Sequence, residues 1–295
     1  MSTRLSPSLL HDLAAFVASH HRLPRLGDPR SPWAYQGFLL PYVIQLHHQH
    51  PHIPDRWGYY LRIRERGLTP DPIPHVSFCS SPNHTTRRTI ERWARLVEET
   101  NSAGSSFHTL VDWMAWALGV ADTLPAVDDA LHEQLYRTVN IEPWLLHPYD
   151  YLGEFLAEQR SRGWNTTGFF PTPHAVCEMM TQMTVVKAES INCHDPRTRS
   201  IMDPCCGSGR MLLHASNYSL NLYGMDIDPL VLTITKINGA LYCPWLTFPF
   251  PSHIFKTHSS TEYDLRNSRL VPLPPPRYLS SKKEEASHLQ LAFRF

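Results

Sequence analysis

The chain has 295 residues, 42% of them hydrophobic, which is enough for a sizeable core divided over one or two domains. Its 27 basic and 27 acidic side chains cancel, which excludes a global electrostatic pull toward nucleic acid or an anionic membrane and leaves any DNA contact to a local patch. No run approaches the roughly 18 apolar residues of a membrane helix, and Cys79, Cys177, Cys193, Cys205, Cys206 and Cys243 have no paired metal spacing and no recognisable secretory signal before them, so reduced thiols in a cytoplasmic protein are expected.

Residues 1–165 carry helical periodicity and no strand alternation of any length. Ser6-Pro7-Ser8 leads into a helix from Leu9 to Ser19, and Ser31-Pro32 into one from Trp33 to His47, both with proline near the first turn. Ile90, Trp93, Ala94 and Val97 mark one later helix face. Phe107, Leu110, Val111, Met114 and Leu118 mark another, closed by Gly119 as a C-cap. Val127, Leu131 and Leu135 mark a third with Asp128 and Asp129 at its positive end, and Leu152, Phe155 and Leu156 mark the last.

Two features of this region have a chemical reading beside a structural one. Arg56, Arg62, Arg64 and Arg66 alternate with Trp57, Tyr59 and Tyr60, and a later helix carries Arg87, Arg88, Arg92 and Arg95. Arginines beside aromatics can grip phosphates and stack on bases, but an exposed helix face with buried aromatic anchors explains the same pattern and is the preferred reading. His47, His48, His50 and His52 could hold a metal, yet they alternate with proline at a helix end, where imidazoles suit the helix dipole.

A polar loop from Ser161 to Gly168 separates this region from Phe170-Pro171-Thr172-Pro173 and a helix expected to run through about Val186. Val176, Met179, Met180 and Met183 share one side of that helix and are expected to be core. A polar connection from Ala188 to Arg199 follows. Ile201-Met202 then ends in Asp203-Pro204-Cys205-Cys206-Gly207-Ser208-Gly209-Arg210, and Met211-Leu212-Leu213 begins a helix. Strand, glycine turn and helix make a cradle of bare backbone for an anionic or zwitterionic ligand. A second strand, Leu220 to Met225, ends in Asp226-Ile227-Asp228-Pro229 before a helix from Leu230 to Leu241. Asp226 lies 17 residues past Gly209, close to the spacing at which doubly wound folds place the carboxylate that grips ribose hydroxyls. The adjacent Cys205 and Cys206 read as small side chains tolerated by a crowded turn, with a metal or redox pair as the alternative.

These residues resemble a known family. Asp203 to Leu212 is similar to the adenosylmethionine-binding motif of adenine-N6 DNA methyltransferases, especially the modification subunits of type I restriction systems. Gly168 to Pro173 is similar to that family's Gly-x-Phe-Phe-Thr-Pro segment with one inserted proline, and Asp150 to Phe155 to the helix start that precedes it. The resemblance implies S-adenosyl-L-methionine as cofactor, with Phe170, Thr172 and Pro173 at its methionine end, backbone from Cys205, Gly207, Ser208 and Gly209 around it, Asp203 orienting the turn or the ammonium group, Asp226 on the ribose and Ile227 against the adenine. It implies DNA as substrate.

The family positions adenine with an Asn, Asp or Ser followed by Pro-Pro and an aromatic residue, and this sequence contains no such tetrapeptide. Leu273-Pro274-Pro275-Pro276-Arg277-Tyr278 is the nearest run and reads as a polyproline tail, with a remodelled catalytic loop as the alternative. Leu246 to Phe250 is read as a short edge strand, and residues 251–295 as irregular. The expected fold is α/β, a Rossmann-like adenosylmethionine-dependent methyltransferase domain over residues 166–250 with an incomplete sheet, behind a helical N-terminal domain over residues 1–165. The expected function is that of a cofactor-binding methyltransferase-like protein. The alternatives are a non-catalytic assembly subunit and a NAD-binding Rossmann protein. A bare sheet edge of this kind calls for a cover, from the helical domain or from a second polypeptide.

Overall fold

The computed structural model describes residues 36–100, 106–123, 125–161, 165, 168–186, 195–255 and 292–293. The expected helix at Leu9 to Ser19, the Leu273–Tyr278 run and Cys193 lie outside them. The helices in chain order are α1 Leu40–Gln49, α2 Arg56–Arg66, α3 His84–Thr100, α4 Ser106–Ala117, α5 Asp129–Thr138, α6 Glu142–Leu146 and α7 Tyr151–Ser161, followed by α8 His174–Thr181. Then come strand β1 Ser200–Asp203, helix α9 Arg210–Ala215, strand β2 Asn221–Met225, helices α10 Pro229–Tyr242 and α11 Pro244–Thr247, and strand β3 Ala292–Phe293.

β1 and β2 are parallel neighbours in the register Ser200 to Asn221 through Asp203 to Gly224, and β3 adds to the far side of β2 in antiparallel sense at Gly224 and Met225. The order is therefore β1-β2-β3, and β1 has no strand on its other side among the described residues. The described residues are helix-rich, with a small mixed sheet built on one parallel strand pair, short of a complete doubly wound fold.

Local chemistry accounts for the helices. Asp55 caps α2 by accepting from the Gly58 amide, and Asp128 caps α5 from the Leu131 amide, as its position before the apolar run suggested. Ile90, Trp93, Ala94 and Val97 face inward on α3, and Gly119, at a φ of 74°, closes the end of α4. Pro41 sits in the first turn of α1, which starts at Leu40; Pro32 and Trp33 lie outside the described residues.

One continuous core runs through the helical segment and the two βα corners. Trp57 Nε1 donates to the Ala240 carbonyl at 2.9 Å, and His47 bridges the Pro54 and Leu241 carbonyls, each at 2.8 Å. The imidazole is thus part of the packing between α1 and α10. No cluster of three metal-ligating side chains occurs among the described residues, and none of their helices is long and apolar enough to cross a membrane. Trp57, Tyr59 and Tyr60 are buried, in line with the anchor reading of that run.

Two expectations are corrected. Val176, Met179, Met180 and Met183 do not form core: they are 37%, 53%, 41% and 59% exposed, because α8 buries only the stripe of His174, Cys177 and Thr181 against its neighbours. The helix also ends at Thr181 and passes into a π turn, Gln182–Val186. Leu246 to Phe250 is not a strand. Pro244 starts the short helix α11, and Phe248 and Phe250 leave it to pack on Trp57 and Tyr60 at ring separations of 5.6 and 4.8 Å.

Arg56 is fully buried and meets no carboxylate. Its guanidinium donates to the Pro74 carbonyl, Ser216 Oγ, the Tyr242 carbonyl and Asn217 Oδ1, and lies 5.1 Å from the Trp245 ring centre. Burial pushes its pKa down to about 10, so it stays charged at neutral pH. Replacing Arg56 with Ala removes a donor from four acceptors, of which Asn217 Oδ1 keeps the Val76 amide, and leaves a cavity behind; urea unfolding is expected to register a loss of about 3–5 kcal/mol. A midpoint within experimental error of the parent would contradict this account.

Candidate functional site

The glycine turn between β1 and α9 is held by its own amides. Asp203 Oδ1 accepts from the Cys205 amide at 3.1 Å, the Cys206 amide donates to the Met225 carbonyl at 2.8 Å, and the Gly209 amide donates to the Cys206 carbonyl at 2.8 Å. Gly209 has a φ of 86°, and a Cβ there would lie 2.8 Å from Thr235 Cγ2, so this residue is required by both conformation and space. The Ser208 amide has no hydrogen-bond partner among the described residues, which leaves a donor at the N-terminus of α9.

The second corner is tied to the first. One oxygen of Asp226 accepts from the Gly207 amide at 2.8 Å and the other from the Asp228 amide at 3.0 Å. Asp228 caps α10 through the Leu230 amide and pairs with Arg160 of α7 at 2.7 Å. Ile227, between the two acids, is 71% exposed.

The third wall is the 168–173 loop, fixed by a buried network. Asp150, fully buried at the start of α7, accepts from Ser208 Oγ at 2.5 Å, Arg210 Nε at 2.8 Å, Asn238 Nδ2 at 2.9 Å and the Gly153 amide at 2.9 Å. A Cβ on Gly153 would come within 2.1 Å of that carboxylate, so only glycine admits the approach. Arg210 extends the network to Glu154 Oε2 at 2.7 Å and the Thr172 carbonyl at 3.3 Å, with Tyr149 under its guanidinium. Burial alone would raise the Asp150 carboxyl, but Arg210, Ser208 and Asn238 hold it below the usual carboxylate range.

These three walls enclose a cleft of about 340 Å³, within the range of small-molecule sites. Of the residues expected to hold a cofactor, Phe170, Thr172, Asp203, Cys205, Gly207, Ser208, Asp226 and Ile227 line it. Pro173 and Gly209 do not: Pro173 stands at the N-cap of α8 and Gly209 at that of α9. Phe170 is 80% exposed at the rim. Cys205 is exposed, whereas Cys206 is buried with its thiol pushed up to about 12 by burial and by Asp203 and Asp226, and so is protonated at neutral pH.

The charge left over in the cleft is negative. Arg210 is neutralised by Asp150 and Glu154, and Asp228 by Arg160, while Asp203 and Asp226 meet only backbone amides among the described partners. Burial, with a contribution from Asp226, pushes the Asp203 carboxyl up, which a cationic ligand would reverse. The sequence reading assigned no role to Asp150, Arg160, Arg210 or Asn238. The Asp150-x-x-Gly153 cap at a helix start was the one available signal.

Behind the network, His174 and His214 are buried side by side. The Asp150 amide donates to His174 Nε2 at 3.4 Å, which leaves the ring proton on Nδ1, 3.1 Å from His214 Nε2. Phe78 stacks on His174 at 5.6 Å. Burial and Arg210 push His174 down to about 3, and burial, His75 and Arg210 push His214 down to about 4. Both folded-state values lie below that of an unfolded histidine, so the unfolded chain binds more protons as the pH falls. Stability is complete above about pH 6.5 and is expected to drop by about 1 kcal/mol per histidine per pH unit down to about pH 4. Urea midpoints measured across that window check it, and a flat profile would remove the neutral pair.

Residues 145–242, about a third of the chain, match the family model described as N-6 DNA Methylase. Comparison with curated proteins and with solved structures found no match.

Proposed function

We propose, from the premise that residues 145–242 belong to the N-6 DNA methylase family, that the cleft binds S-adenosyl-L-methionine and that the chain is the cofactor-holding part of a DNA adenine-N6 methyltransferase. The observation that carries this reading is the residual charge of the cleft: two βα corners converge on a bare glycine cradle whose basic groups are all neutralised, leaving Asp203 and Asp226. Such a site suits the ammonium and sulfonium of adenosylmethionine and opposes the pyrophosphate of NAD, the other dinucleotide-fold ligand.

In this reading Asp203 takes the ammonium group, the Ser208 and Cys205 backbone borders the methionine, and Asp226 accepts from the ribose hydroxyls while keeping the two corners together. Ile227 covers one face of the adenine, and Phe170, Thr172 and Pro173 close the methionine end. The sulfonium supplies an electrophilic methyl group, and the protein's part is to fix its direction. The acceptor amine needs its own polar group and stacking ring. The sequence carries no Asn/Asp-Pro-Pro-aromatic run, and β1 is unpaired on one side among the described residues. Both features favour a second polypeptide that completes the catalytic unit, as in a restriction–modification assembly. The second reading, a non-catalytic assembly subunit, rests on the same missing run.

Calorimetric titration tests the shared premise. Adenosylmethionine is expected to bind, and Asp226→Ala to weaken it by about 1–3 kcal/mol through loss of a charge-assisted bond to the ribose. Equal affinity of the variant would remove Asp226 from the ribose, and binding of NAD in preference would overturn the proposal. Tritiated-methyl transfer to mixed genomic DNA, with and without the products of neighbouring genes, separates the two readings: label from the purified chain alone would rule out the assembly reading.

A further inference from the structure

The described arginines divide sharply. Arg62 pairs with Asp55, Arg66 with Glu65, Arg87 with Glu91 and Glu158, Arg137 with Glu133, Arg160 with Asp228, Arg197 with Asp195, and Arg210 with Asp150 and Glu154. Arg56, Arg64 and Arg199 are held by carbonyl, amide or hydroxyl oxygens. Arg88, Arg92 and Arg95 alone among the described arginines have neither an ion pair nor a hydrogen bond.

All three are exposed, and all three stand on α3 at spacings of four and three residues, which places them on one face. The opposite face carries the buried Ile90, Trp93, Ala94 and Val97. Of the carboxylates on α3, Glu91 is taken by Arg87, and Glu98 and Glu99, in the last turn beyond Arg95, form no ion pair with the stripe. In a chain whose charges cancel overall, a row of unneutralised guanidinium groups on a rigid helix is a local positive field. From Arg88 to Arg95 it extends about 10 Å at the rise of an α-helix. That is roughly three base-pair steps of duplex DNA, and the guanidinium fork fits phosphate oxygens.

The helix that bears the stripe is also joined to the cleft wall by ion pairs. Arg87, beside Arg88, is tied to Glu158 of α7 at 2.6 Å, and two residues further along α7 Arg160 holds Asp228 at the cleft wall. Helix α7 therefore links α3, the helix that carries the stripe, to the cleft wall.

We propose that Arg88, Arg92 and Arg95 of α3 form a phosphate-tracking surface that holds the DNA backbone while the cleft holds the cofactor. The proposal rests on the methyltransferase reading for its choice of DNA as the polyanion. The contacts are to phosphate only, so they supply affinity and register and no base specificity.

The test is fluorescence anisotropy of a fluorescein-labelled DNA duplex of mixed sequence, titrated with the full chain over about 50 to 200 mM KCl. Arg88, Arg92 and Arg95 are changed together to Ala, and Arg137→Ala serves as a control at a paired surface arginine. The triple variant is expected to bind at least about tenfold more weakly at low salt, and to lower the slope of log affinity against log salt by about 2 to 3, near 0.9 for each lost phosphate. The control should match the parent. Alanine favours helix at all three positions, and far-UV circular dichroism with adenosylmethionine titration of the same variant checks that fold and cleft are intact.

A triple variant with parental affinity and slope overturns the stripe. So does a parent chain that fails to bind the duplex, or one that binds polyglutamate more tightly, which would point to an acidic protein instead. Duplex binding through the stripe without adenosylmethionine binding would overturn the cleft assignment and leave the surface standing. The reverse result would leave the cleft and remove the surface.

Discussion

The cleft depends on the buried contact between Asp150 and Arg210. The glycine turn and the 168–173 loop each have a single apolar anchor, Cys206 and Phe169, while Phe170 is open to solvent and the turn is otherwise backbone and small side chains. Asp150 and Arg210 together join the start of α7, the turn, α10 through Asn238 and the loop through the Thr172 carbonyl. An isolated buried ion pair often fails to repay its desolvation. Here the carboxylate receives four donors and the guanidinium is divided between Asp150, Glu154 and a carbonyl, so few lone pairs or protons are left unserved. What the pair supplies is position, because each partner belongs to a different element.

The same contact explains why the helical region and the two corners share one core. If α7 belonged only to a separate helical unit, Asp150 would face solvent and Arg210 would be a free cation in the cleft. With Asp150 in place the cleft keeps the opposite sign. Asp226 has a comparable double role. Its two oxygens accept from turn amides on both corners, so the group proposed to grip the ribose is also the one that sets the distance between the cradle and the second strand.

Much of this was readable from the chain. The glycine turn and the acid after the second strand come together as their order and spacing implied, because each lies at a strand end whose direction the local pattern fixes, and the loop at Phe170 joins them where the family resemblance implied. The helix faces on α3, α4 and α5 were legible from apolar periodicity alone. Asp150, Asn238 and Arg160 were not, since their partners are between 58 and 88 residues away in sequence, and no local rule pairs them. The methionines of α8 misled for a different reason. Periodicity reports that a face is apolar, which is compatible either with a face covered by the same chain or with one left open.

That open face bears on the proposed need for a second polypeptide. Met202 on β1 is 55% exposed, and Arg199 at the start of that strand donates to the Val185 carbonyl at the end of the π turn. The π turn that follows the methionine-bearing helix is thus tied to the residue that precedes β1. Parallel strands are stable when both faces and both edges are covered, and exposed methionines adapt to a partner of irregular shape. An acceptor-positioning group brought by a second chain to the unpaired side of β1 would arrive beside Asp203, at the open end of β1, where the cleft begins. Helix α3, which carries the arginine stripe, is tied through Arg87 to Glu158 of α7, and α7 is tied to the cleft wall through Arg160. In the proposed reading the chain contributes the cofactor site and the backbone grip, and a second chain supplies the base-handling group.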